Sequence, residues 1–384
     1  MAGSPSSSGL VLVLNSGSSS VKYALVDPDT GDRPLSGQAE NIGTSGGSYH
    51  DAITRIIDHL DDKGHVDLTG AGHRVVHGGE RFSDSVLVDG EVIAAIRSYS
   101  RLAPLHNPAN LAGIEAVGQV RPGLPQVAVF DTAFHQTMPP AAYRYAVPPE
   151  WYAQYAVRRY GFHGTSYRFV SARAAEQLGR PPAGLRLVVA HLGNGCSAAA
   201  ISGGRSVDTT MGLTPMEGLV MGTRSGDVDP GLLGYLAERT GQSLGGLTDA
   251  LDTRSGLLGL SGTSNDMRTI QESAEQGDER ARLALDVFVH RLAKAVAGLA
   301  ASLGGLDALV FTAGIGEHSV VVRSRVLARL GFLGLAEDPA ANAAHGRTAG
   351  GRISLPGPVQ ALVIPTDEEL MIARDTARLV APRR

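Results

Sequence analysis

Two strand-turn-strand units, one opening each half of the chain, constrain this sequence more than any other feature. The first is residues 10–23, LVLVLNSGSSSVKY. An apolar run of leucine and valine ends at Asn15, a small polar turn follows, and residues 21–26 resume the strand pattern, so the unit reads as a hairpin. Gly17 lets the backbone turn where a side chain would clash. Ser18, Ser19 and Ser20 offer hydroxyl and backbone donors and Lys22 adds a point charge, which makes the tip a phosphate-sized cup. Taken alone, the same letters also describe an ordinary Ser/Gly turn. The second unit repeats the device: residues 185–191 form a buried strand, Gly193-Asn194-Gly195 the turn, and residues 196–201 a return strand of small side chains. Ser202-Gly203-Gly204 and another short strand follow. Two such cups predict a duplicated α/β domain whose copies face each other over one nucleotide.

A chain of 384 residues with 43% hydrophobic content is too long for one ordinary core, so two domains are expected. A net charge of −4 gives no reason to expect nucleic acid or an anionic membrane as partner. The single cysteine, Cys196, has no partner for an internal disulfide, which fits a cytoplasmic location. The start, MAGSPSSSG, lacks a basic n-region, and the apolar run behind it is too short for a signal core or a membrane span. Residues 1–9 are therefore expected to be a disordered leader. The three lysines, Lys22, Lys63 and Lys294, all lie outside a G-x-x-x-x-G-K-[ST] context, so a Walker-type P-loop is excluded.

In chain order, residues 49–60 read as an amphipathic helix, after a stretch of strand and loops. In AGHRVVHGGE, residues 71–80, Val75 and Val76 mark a short strand flanked by His73, Arg74 and His77. Histidines beside a turn read as structural, whereas Arg74, at a strand end before Gly78-Gly79, is an anion-site candidate. Asn107 is the expected N-cap for a helix with Pro108 at its first position. The strand QVAVFD, residues 126–131, ends in Asp131; a carboxylate there is a metal or acid/base candidate, or simply initiates a turn. Residues 138–160, rich in proline and aromatics, read as a link between domains. Gly164-Thr165-Ser166 then caps a helix and leaves His163 just ahead of it.

Residues 211–230 carry too much glycine for a helix and present Arg224 and Asp227 on a loop. Helices are expected over residues 230–239, 244–251 and 278–303, with a turn at 261–265 before Asp266, Met267 and Arg268. A strand over residues 307–312 runs into a glycine turn, residues 313–318, that opens a helix. After a strand over residues 360–365, Thr366 is the expected N-cap, with Asp367, Glu368 and Glu369 in the first helical turn. The helix macrodipole explains such acids without any function.

Nine motifs now stand in a single order: NSGSSSVKY, GHRVVHGGE, APLHNP, FDTAFHQTMP, RRYGFHGTS, HLGNG, MGLTPMEGLVMGTRSGD, FTAGIGE and PTDEELMIARDT. Together they span nearly everything from residue 10 to 376, and the chain resembles the acetate kinase family, and through it the acetate and sugar kinase, heat-shock chaperone and actin superfamily. The resemblance implies two actin-like (ribonuclease H-like) α/β domains with mixed sheets flanked by helices and the nucleotide in the interdomain cleft. The first would comprise residues 10–137 plus 369–384, with the final helix returning to it, and the second residues 138–368. It implies Mg2+, or Mn2+ as the alternative, with ATP/ADP, acetate and acetyl phosphate as substrates and products, and a homodimer.

Residue by residue, the resemblance implies that Asn15 and Glu368 hold the metal, directly or through water, and that Lys22, Ser18 and Ser20 sit at the phosphates. Arg74 would bind the substrate carboxylate, with Val76, Leu105, Phe162 and Pro215 around its methyl group. Arg224 would grip the transferred phosphoryl group, His163 would stabilise the transition state, and Asp131 is the active-site carboxylate. His191, Leu192, Gly193, Asn194 and Gly195, then Asp266, Met267 and Arg268, then Gly314, Ile315, Gly316, Glu317 and His318, match the ATP-binding segments. Three positions depart from the family pattern: Tyr167 stands where histidine is usual, Cys196 where serine is common, and Asp367 where asparagine is common. An extra carboxylate at Asp367 either strengthens metal binding or merely caps the helix.

Acetate is ionised at neutral pH and needs no general base; the barrier is the approach of one anion to another. Asp131 is accordingly expected to organise Mg2+-bound water or a neighbouring arginine, not to accept a proton. Two other readings remain open at this stage. A kinase preferring propionate or butyrate differs by one or two methylenes, which an apolar pocket separates by only about 1 to 3 kcal/mol each. A non-enzymatic nucleotide switch would share the fold but would have no use for Arg74.

Overall fold

The computed structural model describes residues 9–17, 19–43, 47–64, 67–104 and 106–381. Ser18, Leu105 and nearly all of the expected leader lie outside the described residues. By internal contacts the chain divides into two units, Met1–Gln136 with Asp367–Arg384, and Thr137–Thr366.

The first unit opens with an antiparallel meander, β1 (Leu10–Ser16), β2 (Ser20–Val26) and β3 (Leu35–Glu40). β1 is buried along Val11 to Leu14, which is why it reads as a continuous apolar run: helices cover both of its faces. α1 (Tyr49–Asp62) starts with a capping box in which Ser48 and Asp51 exchange side-chain and backbone hydrogen bonds. β4 (Leu68–Val75) lies parallel to β1; β5 (Val86–Leu87), α2 (Gly90–Ser98), α3 (Asn107–Val120) and β6 (Gln126–Phe130) complete this stretch. Ile53, Ile57 and Leu60 of α1 pack with Val117 of α3 and Leu12, Leu14 and Leu25 of the meander.

The second unit begins with the short helices α4 (Pro140–Tyr143) and α5 (Pro149–Tyr155), then α6 (Gly164–Leu178). A second meander follows, β7 (Arg186–Leu192), β8 (Cys196–Ser202) and β9 (Arg205–Thr209). After it come α7 (Gly231–Thr240), α8 (Leu244–Thr253), α9 (Gly256–Ser261), α10 (Met267–Glu275) and the long α11 (Glu279–Ser302). β10 (Ala308–Thr312), α12 (Ala313–His318), α13 (Val320–Arg329), α14 (Pro339–Ala343) and β11 (Gln360–Val363) close the unit. The last helix, α15 (Glu368–Val380), belongs to the first unit.

The sheet orders are β3-β2-β1-β4-β6-β5 and β11-β10-β7-β8-β9. Each is a meander whose first strand pairs with a parallel strand that in turn pairs with a second parallel strand, and β5 is an extra antiparallel strand on one edge. The duplication is therefore a property of the topology and not only of the two turns. The closing helices are exchanged between copies. α6, reached after the first sheet, packs on β7 and β10, whereas α15, reached after the second sheet, packs on β4, β1 and β6.

Several local expectations change. The strand around Val75 begins at Leu68, because Gly70 and Gly72 sit beneath α15: a Cβ on Gly72 would lie 2.4 Å from Thr376 Oγ1 and 2.5 Å from Ile372 Cγ2. Small residues that weaken a strand signal are what the helix needs here. Asn107 does not cap α3. His106 holds the N-cap position, and the buried Asn107 side chain instead bonds the backbone N–H and C=O of His77. Residues 138–160 fall in the second unit and hold α4 and α5, with Arg158 stacked 3.7 Å over the Tyr143 ring, so they are part of its packing and not a link. Residues 313–318 are helical themselves, and the N-cap of α15 is Asp367, not Thr366. The Asp367 carboxylate accepts from Leu370 N and pairs with Arg33, so it caps the helix.

Candidate active site

In the first unit, strand register assembles one charged row. Lys22 is opposite Asn15 across the β1–β2 hairpin, and Leu14 is beside His73, which sets Asn15 next to Arg74. Arg74 is beside Val129, and Asp131, two residues on, shares that face. The row therefore lies at the carboxyl ends of three parallel strands, where α/β sheets bind ligands. α15 adds Glu368, one turn before the Ile372 that covers Gly72.

Arg74 Nε donates to Asp131 Oδ1 at 3.1 Å and Nη2 to Oδ2 at 2.6 Å, a bidentate pair. Arg74 Nη1 is 3.4 Å from Asn15 Oδ1, and the Glu368 carboxylate lies 3.8 Å from Nε. The Asp131 side chain is 1% exposed and that of Arg74 22%, so the carboxylate is the fixed member and the guanidinium reaches out from it. Burial opposes the Arg74 charge, but Asp131 and Glu368 more than offset it and push the guanidinium above its usual range.

The loop after β4 is held by side chains with no local relation to it. Asn110 Oδ1 accepts from Val76 N at 3.0 Å while its Nδ2 donates to Ser16 O at 2.7 Å, and Thr132 Oγ1 accepts from Gly78 N at 3.0 Å. Asn110 thereby ties the end of β1 to the end of β4. Ser20 is half-buried and Lys22 is exposed at the hairpin.

In the second unit a cleft of about 480 Å3 collects all three expected nucleotide segments: Gly193 and Asn194 from the β7–β8 turn, Asp266, Met267 and Arg268 from the start of α10, and Gly314, Ile315 and His318 of α12. Its size suits a small organic ligand. His191, Leu192, Gly195, Gly316 and Glu317 belong to the same segments but do not line it. The Glu317 carboxylate instead accepts from Ala313 N at 2.9 Å and Thr366 N at 3.3 Å, bracing α12. Asp266 caps α10 and accepts from the Arg268 guanidinium at 2.9 Å; hydrogen bonds from Arg268 hold its carboxyl down at about 2.

His163 and Arg224 meet over the β7–β8 turn of that unit. His163 is the N-cap of α6, held in the left-handed region at φ 59°, and its ring stacks on His191 with centroids 4.1 Å apart. Its Nδ1 is 2.8 Å from Ser197 Oγ, and His191 Nδ1 is 2.9 Å from Ser166 Oγ. Arg224 Nε donates to Asp252 Oδ1 at 3.0 Å and Nη1 to Pro215 O at 3.1 Å. A Cβ on Gly195 would lie 3.5 Å from Arg224 Nη1 and 3.6 Å from His163 Nε2, so two nitrogens converge where this glycine has no side chain. Phe162 and Val76 are buried, at 1% and 7%, and Pro215 is half-buried.

Sequence reasoning missed Asn110, Thr132, Ser166, Ser197 and Asp252. Ser166 carried a signal, its place in RRYGFHGTS, but was read only as part of a cap; Asp252 sits in an unremarkable helix end.

For a metal, the first unit offers an amide oxygen on Asn15 and a carboxylate on Glu368, on either side of the Arg74 guanidinium. Among the described residues no group of three or more His, Cys, Asp or Glu side chains is placed to hold an ion alone. One or two oxygen donors suit a hard cation such as Mg2+, which keeps its waters and takes phosphate oxygens, so the donor set fits.

The sequence profile of the Acetokinase family matches residues 10–374. An acetate kinase of Deinococcus radiodurans is 58% identical, with 97% of this chain and 98% of that protein covered. The acetate kinase of Bacillus subtilis is 49% identical, with 96% and 99% covered. Among solved structures, acetate kinase from Porphyromonas gingivalis superposes with a TM-score of 0.91 at 44% identity, covering 97% of this chain and 99% of that one. A propionate kinase from Francisella tularensis subsp. tularensis SCHU S4 gives 0.92 at 44% identity, covering 97% and 100%. These matches run essentially end to end in both directions and agree with the duplicated sheets described above: the chain belongs to the Acetokinase family.

Proposed function

We propose that this protein catalyses the reversible transfer of the γ-phosphoryl group of ATP to acetate, giving acetyl phosphate and ADP, by direct in-line displacement. The observation that carries the reading is the Arg74–Asp131 pair: a guanidinium braced through Nε and Nη2 by a buried carboxylate, at the carboxyl ends of parallel strands. Its remaining edge suits a small carboxylate, which an actin-like switch has no reason to bind.

An acetate oxygen forms the new bond to phosphorus while the bond to the ADP oxygen breaks, and no proton changes hands. Two like charges at about 4 Å repel by roughly 4 kcal/mol at an effective dielectric of about 20, so cationic side chains must offset the approach. Arg74 orients the acid, and Arg224 and His163 donate to phosphoryl oxygens as charge builds on them. Asp131 braces Arg74 and takes no proton. Asn15 and Glu368 would hold Mg2+, directly or through water, and the ion would supply further neutralisation of phosphate charge. The cleft at Asn194, Asp266 and Gly314 supports nucleotide binding in the second unit. Lys22 and Ser20 are assigned to phosphate contacts, with Val76, Phe162 and Pro215 around the methyl group of the acid.

We also propose a cytoplasmic homodimer. Trp151, Tyr155, Tyr235 and Leu244, 47–65% exposed on α5, α7 and α8, support a partner of the same chain. Among the described residues no helix is long and apolar enough to cross a membrane. Formation of ATP from acetyl phosphate and ADP by the purified protein tests the activity; no ATP above the enzyme-free rate would contradict it.

A further inference from the structure

Behind His163 lie two hydroxyl groups in a line. Ser197 is fully buried on β8 as the register partner of His191, and its Oγ is 2.8 Å from His163 Nδ1 and 2.5 Å from Tyr167 Oη. Tyr167 is also fully buried and follows His163 by one helical turn, which sets both on the same face of α6. The second unit therefore contains a chain of three groups, Tyr167 Oη, Ser197 Oγ and His163 Nδ1, running from its interior to an imidazole.

A neutral imidazole carries one N–H and one lone pair, and the partner of one nitrogen decides which nitrogen keeps the proton. Two hydrogen arrangements satisfy this chain and also use the Ser197 hydrogen. In one, Tyr167 donates to Ser197 and Ser197 donates to Nδ1, leaving the proton on Nε2. In the other every bond is reversed and the proton sits on Nδ1. A third, in which Ser197 accepts from both Tyr167 and Nδ1–H, is disfavoured because it leaves that buried hydroxyl hydrogen without an acceptor. A phenol is the more acidic hydroxyl and hence the better donor, while an aliphatic hydroxyl oxygen is the better acceptor, which favours the first. Burial pushes the Tyr167 phenol up, so it keeps its proton at neutral pH. The outer end agrees: Nε2 is the nitrogen that meets Arg224 Nη1 over Gly195. A lone pair there would oppose any anion that Arg224 attracts, whereas an N–H would join it. The His191 ring, stacked at an interplanar angle of 22°, fixes the plane in which that N–H points.

We propose that Ser197 and Tyr167 are positioning residues that hold neutral His163 as its Nε2–H tautomer, so that a hydrogen-bond donor stands beside Arg224 over Gly195. Its catalytic meaning rests on the kinase reading, in which the anion met there is the transferring phosphoryl group; the tautomer itself does not. Tyr167 occupies a position where the family resemblance leads one to expect histidine, so this chain sets the ring with a phenol.

The test is nitrogen-15 NMR of the full-length protein labelled at histidine, with the His163 signals assigned by their loss in His163→Gln. At pH 7.5 the wild-type ring should show a protonated Nε2 and an unprotonated Nδ1. Ser197→Ala should mix the tautomers, and Tyr167→Phe, which keeps the ring and removes the hydroxyl, should shift them in the same direction. On acetate, both variants should lose about 10- to 100-fold in kcat, the cost of removing an orienting partner of a functional histidine, with KM for the acid within about twofold. A protonated Nδ1 in the wild type would overturn the proposal, as would an unchanged tautomer in both variants. Because the NMR needs no turnover, an inactive wild-type protein with the Nε2–H tautomer would count against the kinase reading alone.

Discussion

Arg74 and Asp131 meet edge to edge, two nitrogens on two oxygens at 3.1 and 2.6 Å, with the carboxylate 1% exposed and the guanidinium reaching outward. A carboxylate committed to that pair is poorly placed to accept a proton. The arrangement also spends one edge of the arginine on holding it still, which reduces the freedom lost when a substrate carboxylate binds the other.

Asp131→Asn should therefore act through Arg74. The amide keeps the shape but removes the charge that braces the guanidinium, so KM for acetate should rise and kcat/KM fall by about 10- to 100-fold. Excess Mg2+ should restore little of it. Steady-state kinetics over a Mg2+ series checks this; recovery of most activity at high Mg2+ would instead make Asp131 an organiser of the metal's water.

The closeness of α15 to β4 makes a second prediction. Gly72→Ala puts a methyl 2.4 Å from Thr376 Oγ1 and 2.5 Å from Ile372 Cγ2, so these side chains or the helix that carries them must shift, and a shift of the helix is expected to disturb Glu368 beside Arg74. Overpacking of this kind costs about 1 to 3 kcal/mol. Thermal melting should show a lower Tm and kinetics a weaker Mg2+ response. Gly90→Ala, with nothing within 4 Å of the added methyl, is the control and should leave both near wild type.

Buried histidines on and after β4 predict an acid-sensitive first unit. Burial lowers both His73 and His77 to about 4, from the ordinary value of 6.5. Below 6.5 the unfolded chain takes up protons that the folded rings refuse until about 4, so stability falls as pH drops through that window. The loss reaches about 3 kcal/mol per ring at most. Urea midpoints at pH 7 and 4.5 should differ less in His73→Gln than in the wild type; equal differences would show that His73 titrates alike in both states.

Much of this was legible because the chemistry sits at strand ends. Asn15 and Asp131 each close or follow an apolar run, Arg74 stands just before Val75 and Val76, and the duplicated turns announced two copies before any topology was known. What was not legible depends on partners far along the chain. Asn107 stands before a proline where a cap belongs, but the His77 loop, 30 residues away, takes its side chain. Thr366 and Asp367 are both good caps, and local preference does not choose between neighbours; Arg33 and Leu370 N do. Prolines in residues 138–160 look like a break because the cation-π stacking of Arg158 on Tyr143 and Arg144 on Tyr152 leaves no periodic signal.

The second unit offers its own test at Gly222. A Cβ there would lie 2.1 Å from Asn194 Oδ1, so Gly222→Ala displaces a side chain that lines the cleft. The Kd for ATP should rise about tenfold by calorimetry while thermal stability changes little; unchanged affinity would remove Asn194 from the nucleotide site.

The central claim is that this chain joins a phosphoryl group to acetate. The most direct measurement traps the acyl phosphate with hydroxylamine, using purified protein, Mg-ATP and acetate, propionate or butyrate in parallel, with Arg224→Ala as control. Hydroxamate forming fastest with acetate and lost in the variant is the expected result. No hydroxamate from any acid by a protein that still binds ATP would contradict the account and favour a nucleotide switch.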